Sequence, residues 1–191
     1  MIKLHKIFIN DITAEEYERE YEKLDRPTAG AVKRRGNESD RKRTLAGRIL
    51  LRRAVKELFG ICDYAVSYGN NGKPELPFCF FNISHSGGLA VLAVSDRHVG
   101  ADTELVRPIR LRERYKLFSK EESEGVNKSA DPNRRFMQIW TKKEAAVKCV
   151  GGGISDIEGL SYGDFEFFTE EYGDYVITVC TEKSGNKEKA F

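Results

Sequence analysis

Long apolar runs are missing from this chain, and no stretch approaches the roughly 20 residues needed to cross a bilayer as a helix. The expectation is a soluble, cytoplasmic protein with no membrane partner. Paired cysteines are missing too. Cys62, Cys79, Cys149 and Cys180 are scattered, with no Cys-x-x-Cys among them. That argues against a zinc site or a disulfide framework and for a reducing compartment, with four buried or half-buried free thiols. There is no internal repeat and no low-complexity segment. The opening "MIKLHKIFIN" has neither a useful apolar h-region nor a small-residue cleavage site, so it reads as a first strand and not as a signal peptide.

What is present fits a globular protein. The 191 residues suffice for one substantial domain or two small lobes sharing a core, and 40% hydrophobic with 32% charged residues is ordinary. The net charge of +2 hides one asymmetry. Between Lys33 and Arg53 stand Lys33, Arg34, Arg35, Arg41, Lys42, Arg43, Arg48, Arg52 and Arg53, against Glu38 and Asp40. Such a segment could face nucleic acid, a phosphorylated ligand or an acidic protein, although a solvated helix face explains a charge run equally simply.

Periodicity and turn residues give a coarse layout. Residues 2–9 read as a strand, and 13–24 as a polar helix opening in a Thr13/Glu16 capping box. "RPTAG" reads as a turn. The basic helix is expected from Ser39 or Asp40 to Phe59, with apolar residues around most of its circumference, so that some of its arginines need partners or a ligand. A turn-rich loop at 69–77 precedes three strands, Phe78–Ile83, Leu89–Val94 and His98–Glu104. Helical patterns follow near 109–117, 119–126 and 132–149, the last stopped by Gly151–Gly153. Strands near 164–169 and 174–181 close the fold, and "EKSGNKEKA" reads as a frayed tail. Strands and helices mix without a βαβ alternation, which argues an α+β fold.

Two places invite chemistry. Asp102 and Glu104, two apart in a strand, project to the same face, and at 6–7 Å their repulsion is about 2.5 kcal/mol at an effective dielectric near 20. An exposed pair is cheap; a pair in a cleft calls for a cation such as magnesium. In "WTKKEAAVKCVGGGI", Trp140, Glu144 and Lys148 share one helix face. They form either a surface Glu–Lys pair beside a core tryptophan, or a further carboxylate set over a phosphate-facing lysine. "FSKEE" at 118–122 offers Ser119 and Glu122 as a capping box, a structural role.

Taken together and in order, "GKP" at 72–74, "FNISHS" at 81–86, "VGADTE" at 99–104, "FSKEE" and "WTKKEAAVK" at 140–148 resemble the 4′-phosphopantetheinyl transferases of the single-chain, surfactin-synthetase-activating type. The resemblance covers about residues 30–170. Ala101 and Thr103 flank Asp102 where the family usually has larger aliphatic residues, and Tyr68 stands where tryptophan is common. The resemblance implies two similar, pseudo-two-fold related lobes, each a helix on a small antiparallel sheet, at 1–104 and 105–191. Asp102 would end the first lobe and Glu144 lie in the second. It implies transfer of the 4′-phosphopantetheine arm of coenzyme A to a serine of an apo acyl or peptidyl carrier protein, with release of adenosine 3′,5′-bisphosphate. Asp102, Glu104 and Glu144 would hold Mg2+. Glu144 would take the serine proton, and Lys148 would meet the pyrophosphate. Lys73, Ser84, His85 and Lys148 would bind coenzyme A, with residues near Lys33, Arg34 and Arg43 at its adenosine end. The protein would act as a monomer.

Two other classes are consistent with parts of the chain. A nucleic-acid-binding domain on the 33–53 helix, with Phe80 and Phe81 as a stacking surface, leaves the carboxylates unexplained. A degenerate fold that only docks carrier proteins leaves intact Asp102, Glu104, Glu144 and Lys148 without a purpose.

Overall fold

Caps and turn residues punctuate the chain. A computed structural model describes residues 1–69, 72–108 and 114–183. Strand β1 (Ile2–Phe8) leads through a 3-10 turn into α1 (Ala14–Glu22), whose cap Thr13 accepts the Glu16 N–H. Glu16 turns its carboxylate to Arg53, so the expected box is only half closed. "RPTAG" is not a turn but the start of α2 (Arg26–Arg34). Asp25 caps it by accepting Thr28 N–H at 2.8 Å, and Pro27 sits in the first turn, where its missing N–H loses no bond.

The basic segment becomes α3 (Glu38–Phe59), capped by Asn37 and ended by Gly60 at φ 69°. It buries Leu45, Ile49, Leu50, Leu51, Ala54 and Val55. Several of its cations have protein partners: Lys42 pairs with Glu38, Arg52 with Glu20 and Arg53 with Glu16. Arg48 donates to Thr28 Oγ1 and Tyr68 Oη, each at 2.8 Å. Tyr68 in turn donates to Asp25 at 2.9 Å, which ties α2 to α3.

A short hairpin, β2 (Ser67–Tyr68) with β3 (Pro74–Glu75), occupies the expected loop. The first sheet joins β1 to β4 (Phe80–Ser86) and β5 (Leu89–Ser95) in the order β1-β5-β4. After β6 (Val99–Leu105) come a 3-10 segment at Arg114–Leu117, α4 (Lys120–Asn127) and α5 (Pro132–Val150). The second sheet adds β7 (Phe165–Tyr172) and β8 (Tyr175–Glu182), in the order β6-β8-β7. The start of the helical pattern expected at 109–117 and most of the segment "EKSGNKEKA", expected to fray, lie outside the described residues.

The two sheets repeat one topology: strand, long helix, then a hairpin whose second strand returns to pair with the first. The fold is therefore α+β with two similar lobes. The division, however, falls between β5 and β6. β6 pairs along its length with β8, so residues 99–104 belong to the second lobe and not to the end of the first. Asp102 and Glu144 thus share a lobe, and the first contributes Ser84 and His85.

The sheets face each other between the two helices. Leu89 and Val91 of β5 meet Ile177, and Ala93 meets Val99, Ala101 and Val179. Ala90, Leu92 and Val94, on the other face of β5, join the α3 core. Every β5 residue is buried, which is why the strand reads as a continuous apolar run. On the far side α5 lies close against β6: a Cβ on Gly100 would stand 1.9 Å from the Ala145 carbonyl oxygen, so only glycine fits. Three cysteines are buried as expected, while Cys62 is exposed.

Candidate active site

The site grows from the edges of the two sheets. β4 runs on through Ser86, three residues past its expected end, so Asn82, Ser84 and Ser86 alternate onto one face, toward β6. Asn82 Oδ1 accepts the Ala101 N–H at 2.9 Å, Ser84 Oγ the Thr103 N–H at 3.4 Å, and Ser86 Oγ the Leu105 N–H at 3.2 Å. The serines also donate to carboxylates, Ser84 to Asp102 Oδ1 at 2.8 Å and Ser86 to Glu104 Oε2 at 2.7 Å. Asp102 and Glu104 thus stand on the expected common side, at the junction of the lobes.

Lys148 completes the cluster. From the last turn of α5 its ammonium reaches Asp102 Oδ1 at 2.6 Å and Ser84 Oγ at 3.2 Å. It pairs with Asp102, 46 positions away in sequence, where a surface pair with Glu144 was the simpler expectation. Glu144 is half-buried one turn earlier on α5, and Trp140, a further turn back, is buried. Lys73 donates to the Lys148 carbonyl at 3.0 Å, at the negative end of the helix, and burial lowers its pKa.

His85 alternates to the opposite side of β4 from Ser84, toward α3. Partial desolvation, opposed in part by a hydrogen bond to its own backbone, lowers the pKa of this surface-exposed ring, and the nearby cations Lys148, Arg43 and Arg35 lower it further. Three cations gathered around a histidine mark a place where an anion is welcome. The Gly87–Gly88 turn beside it is fixed from both lobes: Arg43 Nε donates to the Gly87 carbonyl at 2.7 Å, and Gly88 N–H donates to Tyr175 Oη at 2.9 Å.

"FSKEE" is structural, as expected. Ser119 and Glu122 form the full capping box, and Glu122 also takes Lys143 of α5 at 2.9 Å. Lys143, buried, lies over the rings of Phe118 and Tyr162. Burial first, then the Glu122 charge, pushes the Tyr162 phenol up to about 12.

The donor chemistry fits a hard cation. Asp102 is 4% exposed, and its Oδ2 is buried without a hydrogen-bond partner, an oxygen that a divalent ion would satisfy. Among the described residues, no three His, Cys, Asp or Glu side chains are gathered into a metal-holding group. Nor, among them, is any helix long and apolar enough to cross a membrane.

Known families match both halves. Residues 11–97 match the model of the 4′-phosphopantetheinyl transferase N-terminal region, and 98–190 that of the 4′-phosphopantetheinyl transferase superfamily. The chain is 31% identical over 162 residues to the 4′-phosphopantetheinyl transferase Sfp of Bacillus subtilis, covering 81% of this chain and 72% of that relative. It is 40% identical over 155 residues to AcpT of Escherichia coli, covering 74% and 75%. The chain belongs to the 4′-phosphopantetheinyl transferase superfamily. With psf-1 of Bacillus pumilus, 36% identical over 125 residues, the match covers 61% of this chain but only 53% of that relative, about half its length.

The boundary between the two family models, 97/98, coincides with the division between β5 and β6. "GKP" and "FNISHS" fall in the N-terminal region, while "VGADTE", "FSKEE" and "WTKKEAAVK" fall in the second. Sequence reasoning gave no role to Asn82, Ser86 or Tyr175. The signal for the first two was there: Asn82, Ser84 and Ser86 recur every second residue, the period of a strand that continues through them.

Proposed function

We propose that the protein transfers the 4′-phosphopantetheine arm of coenzyme A to a serine of an apo acyl or peptidyl carrier protein and releases adenosine 3′,5′-bisphosphate. One observation carries the reading: Lys148, Ser84 and Asp102 meet at the junction of the lobes, with Lys148 Nζ 2.6 Å from Asp102 Oδ1. The cationic surroundings of His85 and membership of the superfamily support it.

In this reading coenzyme A lies along the junction, its 3′-phosphate toward His85, Arg43 and Arg35. Lys73 and Ser84 line the same path. Asp102, Glu104 and Glu144 would hold Mg2+, which when bound neutralises charge on the pyrophosphate oxygens. Lys148, half-buried beside Asp102, turns to the pyrophosphate and offsets the charge gathering on the leaving bisphosphate. Glu144, one turn away on the same helix, takes the proton of the carrier serine as its oxygen attacks the β-phosphorus. The bond from that phosphorus to the bridging oxygen breaks, and the electron pair leaves with adenosine 3′,5′-bisphosphate. The Ser84 hydroxyl, donating once and accepting twice, uses its full hydrogen-bonding capacity to hold Asp102 and Lys148 in place.

The protein acts as a monomer in the cytoplasm. The Arg48, Arg52 and Arg53 side chains of α3 are engaged within the protein, which leaves these three arginines to the fold and not to a nucleic acid. The test is direct. Incubated with an apo carrier protein, coenzyme A and Mg2+, the protein is expected to add the phosphopantetheine mass to the carrier's serine. An unmodified carrier, with a known transferase modifying the same preparation, overturns the reading.

A further inference from the structure

β4 and β6 run side by side in the same direction, residue 82 opposite 101, 84 opposite 103 and 86 opposite 105. Each is the edge of its own sheet. Two such edges could have merged through a backbone ladder. Here β4 instead presents side-chain oxygens to the outward N–H groups of β6. At two of the three positions the same oxygen carries a second bond, to the carboxylate one residue earlier on β6. Ser84 spans Thr103 N–H and Asp102; Ser86 spans Leu105 N–H and Glu104. At the third, Asn82 meets Ala101 N–H, and the preceding residue is Gly100, where α5 leaves no room for a side chain.

A backbone ladder would satisfy the same N–H groups without touching the carboxylates. The side-chain seam does both, and hydroxyls stand where there is a carboxylate to orient. We propose that Ser86 is a positioning residue for Glu104: by accepting Leu105 N–H and donating to Glu104 Oε2 it fixes that carboxylate's rotamer toward a divalent cation. Ser84 does the same for Asp102 but also contacts Lys148, so Ser86 isolates the effect. The inference rests on the reading of these carboxylates as cation ligands, and outer-shell hydrogen bonds of this kind commonly matter 10–100-fold in metal affinity.

The experiment uses the full chain as wild type, Ser86→Ala and Ser86→Thr. Mn2+ binding is titrated by electron paramagnetic resonance with saturating coenzyme A and no carrier protein. Exchange of the Leu105 amide is followed in parallel. Ser86→Ala is expected to weaken Mn2+ binding about tenfold and to speed Leu105 exchange, and Ser86→Thr, which keeps the hydroxyl, to restore most of both. In transfer assays, Ser86→Ala should need about tenfold more Mg2+, with kcat at saturating Mg2+ and KM for coenzyme A within about twofold of wild type. Unchanged Mn2+ affinity with faster Leu105 exchange reduces Ser86 to a structural stitch and overturns the proposal. So does a raised KM for coenzyme A with unchanged Mn2+ affinity, which makes Ser86 a cofactor contact. Wild-type protein that makes no adduct, yet binds Mn2+ in a Ser86-dependent way, overturns the transfer reading and upholds this one.

Discussion

Lys148 is the residue on which chemistry and stability meet. Its side chain is 30% exposed, but that of Asp102 only 5%, so removing the lysine strands a buried carboxylate. Breaking a fully buried pair costs about 3–5 kcal/mol; with one partner partly solvated, Lys148→Ala should cost about 1–3 kcal/mol in thermal or urea melts. Turnover should fall strongly, while metal binding without coenzyme A tightens, because a cation competing for Asp102 Oδ1 is gone. Lys148→Arg should rescue partly, since a planar guanidinium cannot fill the place of a compact ammonium. Normal melts and normal turnover in Lys148→Ala would remove both roles.

His85 gives the residue scale its pH dependence. In the free protein its pKa is lowered by partial desolvation and neighbouring cations. A phosphate dianion beside it raises that pKa, so binding takes up a proton. The gain in affinity is full below the free-state pKa and is lost as pH rises through the bound-state pKa. KM for coenzyme A should therefore rise with pH. His85→Ala should flatten the dependence, and dephospho-coenzyme A should show little of it even with wild type. An equal slope in His85→Ala would move the 3′-phosphate elsewhere.

Among the elements, the packing of α5 on β6 sets the distance from Lys148 to Asp102. A methyl at Gly100 would meet the Ala145 carbonyl at 1.9 Å and the Cys149 nitrogen at 2.6 Å, both backbone. Its counterpart on α3 is milder: a methyl at Gly47 would meet the Ile83 side chain at 2.7 Å, and a side chain can turn aside. Gly100→Ala should destabilise by about 3 kcal/mol or more and lower turnover by pushing α5 from β6. Gly47→Ala should cost about 1–2 kcal/mol and leave turnover nearly normal. Urea denaturation beside steady-state kinetics checks the contrast, and equal costs at the two positions would contradict it.

At the scale of the molecule, the lobes share one interior. Leu89, Val91 and Ala93 are fully buried against Val99, Ile177 and Val179 of the other sheet, and each buried Val, Leu or Ile contributes about 1.5–3 kcal/mol. Parting the sheets would expose all of them and unpair the Asn82, Ser84 and Ser86 seam. The two lobes should therefore unfold together. Trp140, the sole tryptophan, lies in the second lobe, whereas far-UV circular dichroism reads both. Urea transitions followed by the two signals should coincide; a tryptophan midpoint displaced from the dichroism midpoint would mean separately stable lobes.

Local rules determined much from the sequence alone. Thr13, Ser119 and Gly151 mark helix ends because a cap is a contact within one turn, and Leu89–Val94 reads as a buried strand because every side chain in it is apolar. The order of short motifs carried the family, and the i, i+2 spacing put Asp102 and Glu104 on one side. "RPTAG" was misread because Asp25, the cap that makes it a helix, stands just before it. Tertiary structure alone decided the rest. β6 could end the first lobe or begin the second until it chose between β5 and β8, a pairing across 70 to 82 residues that no local pattern encodes. Lys148 likewise had a ready local partner in Glu144, but it meets Asp102, because α5 lies so close on β6 that the desolvated carboxylate is within its reach. The serines of β4 became holders of carboxylates only when two sheet edges came side by side, since a hydroxyl's partner is set by what the fold brings to it.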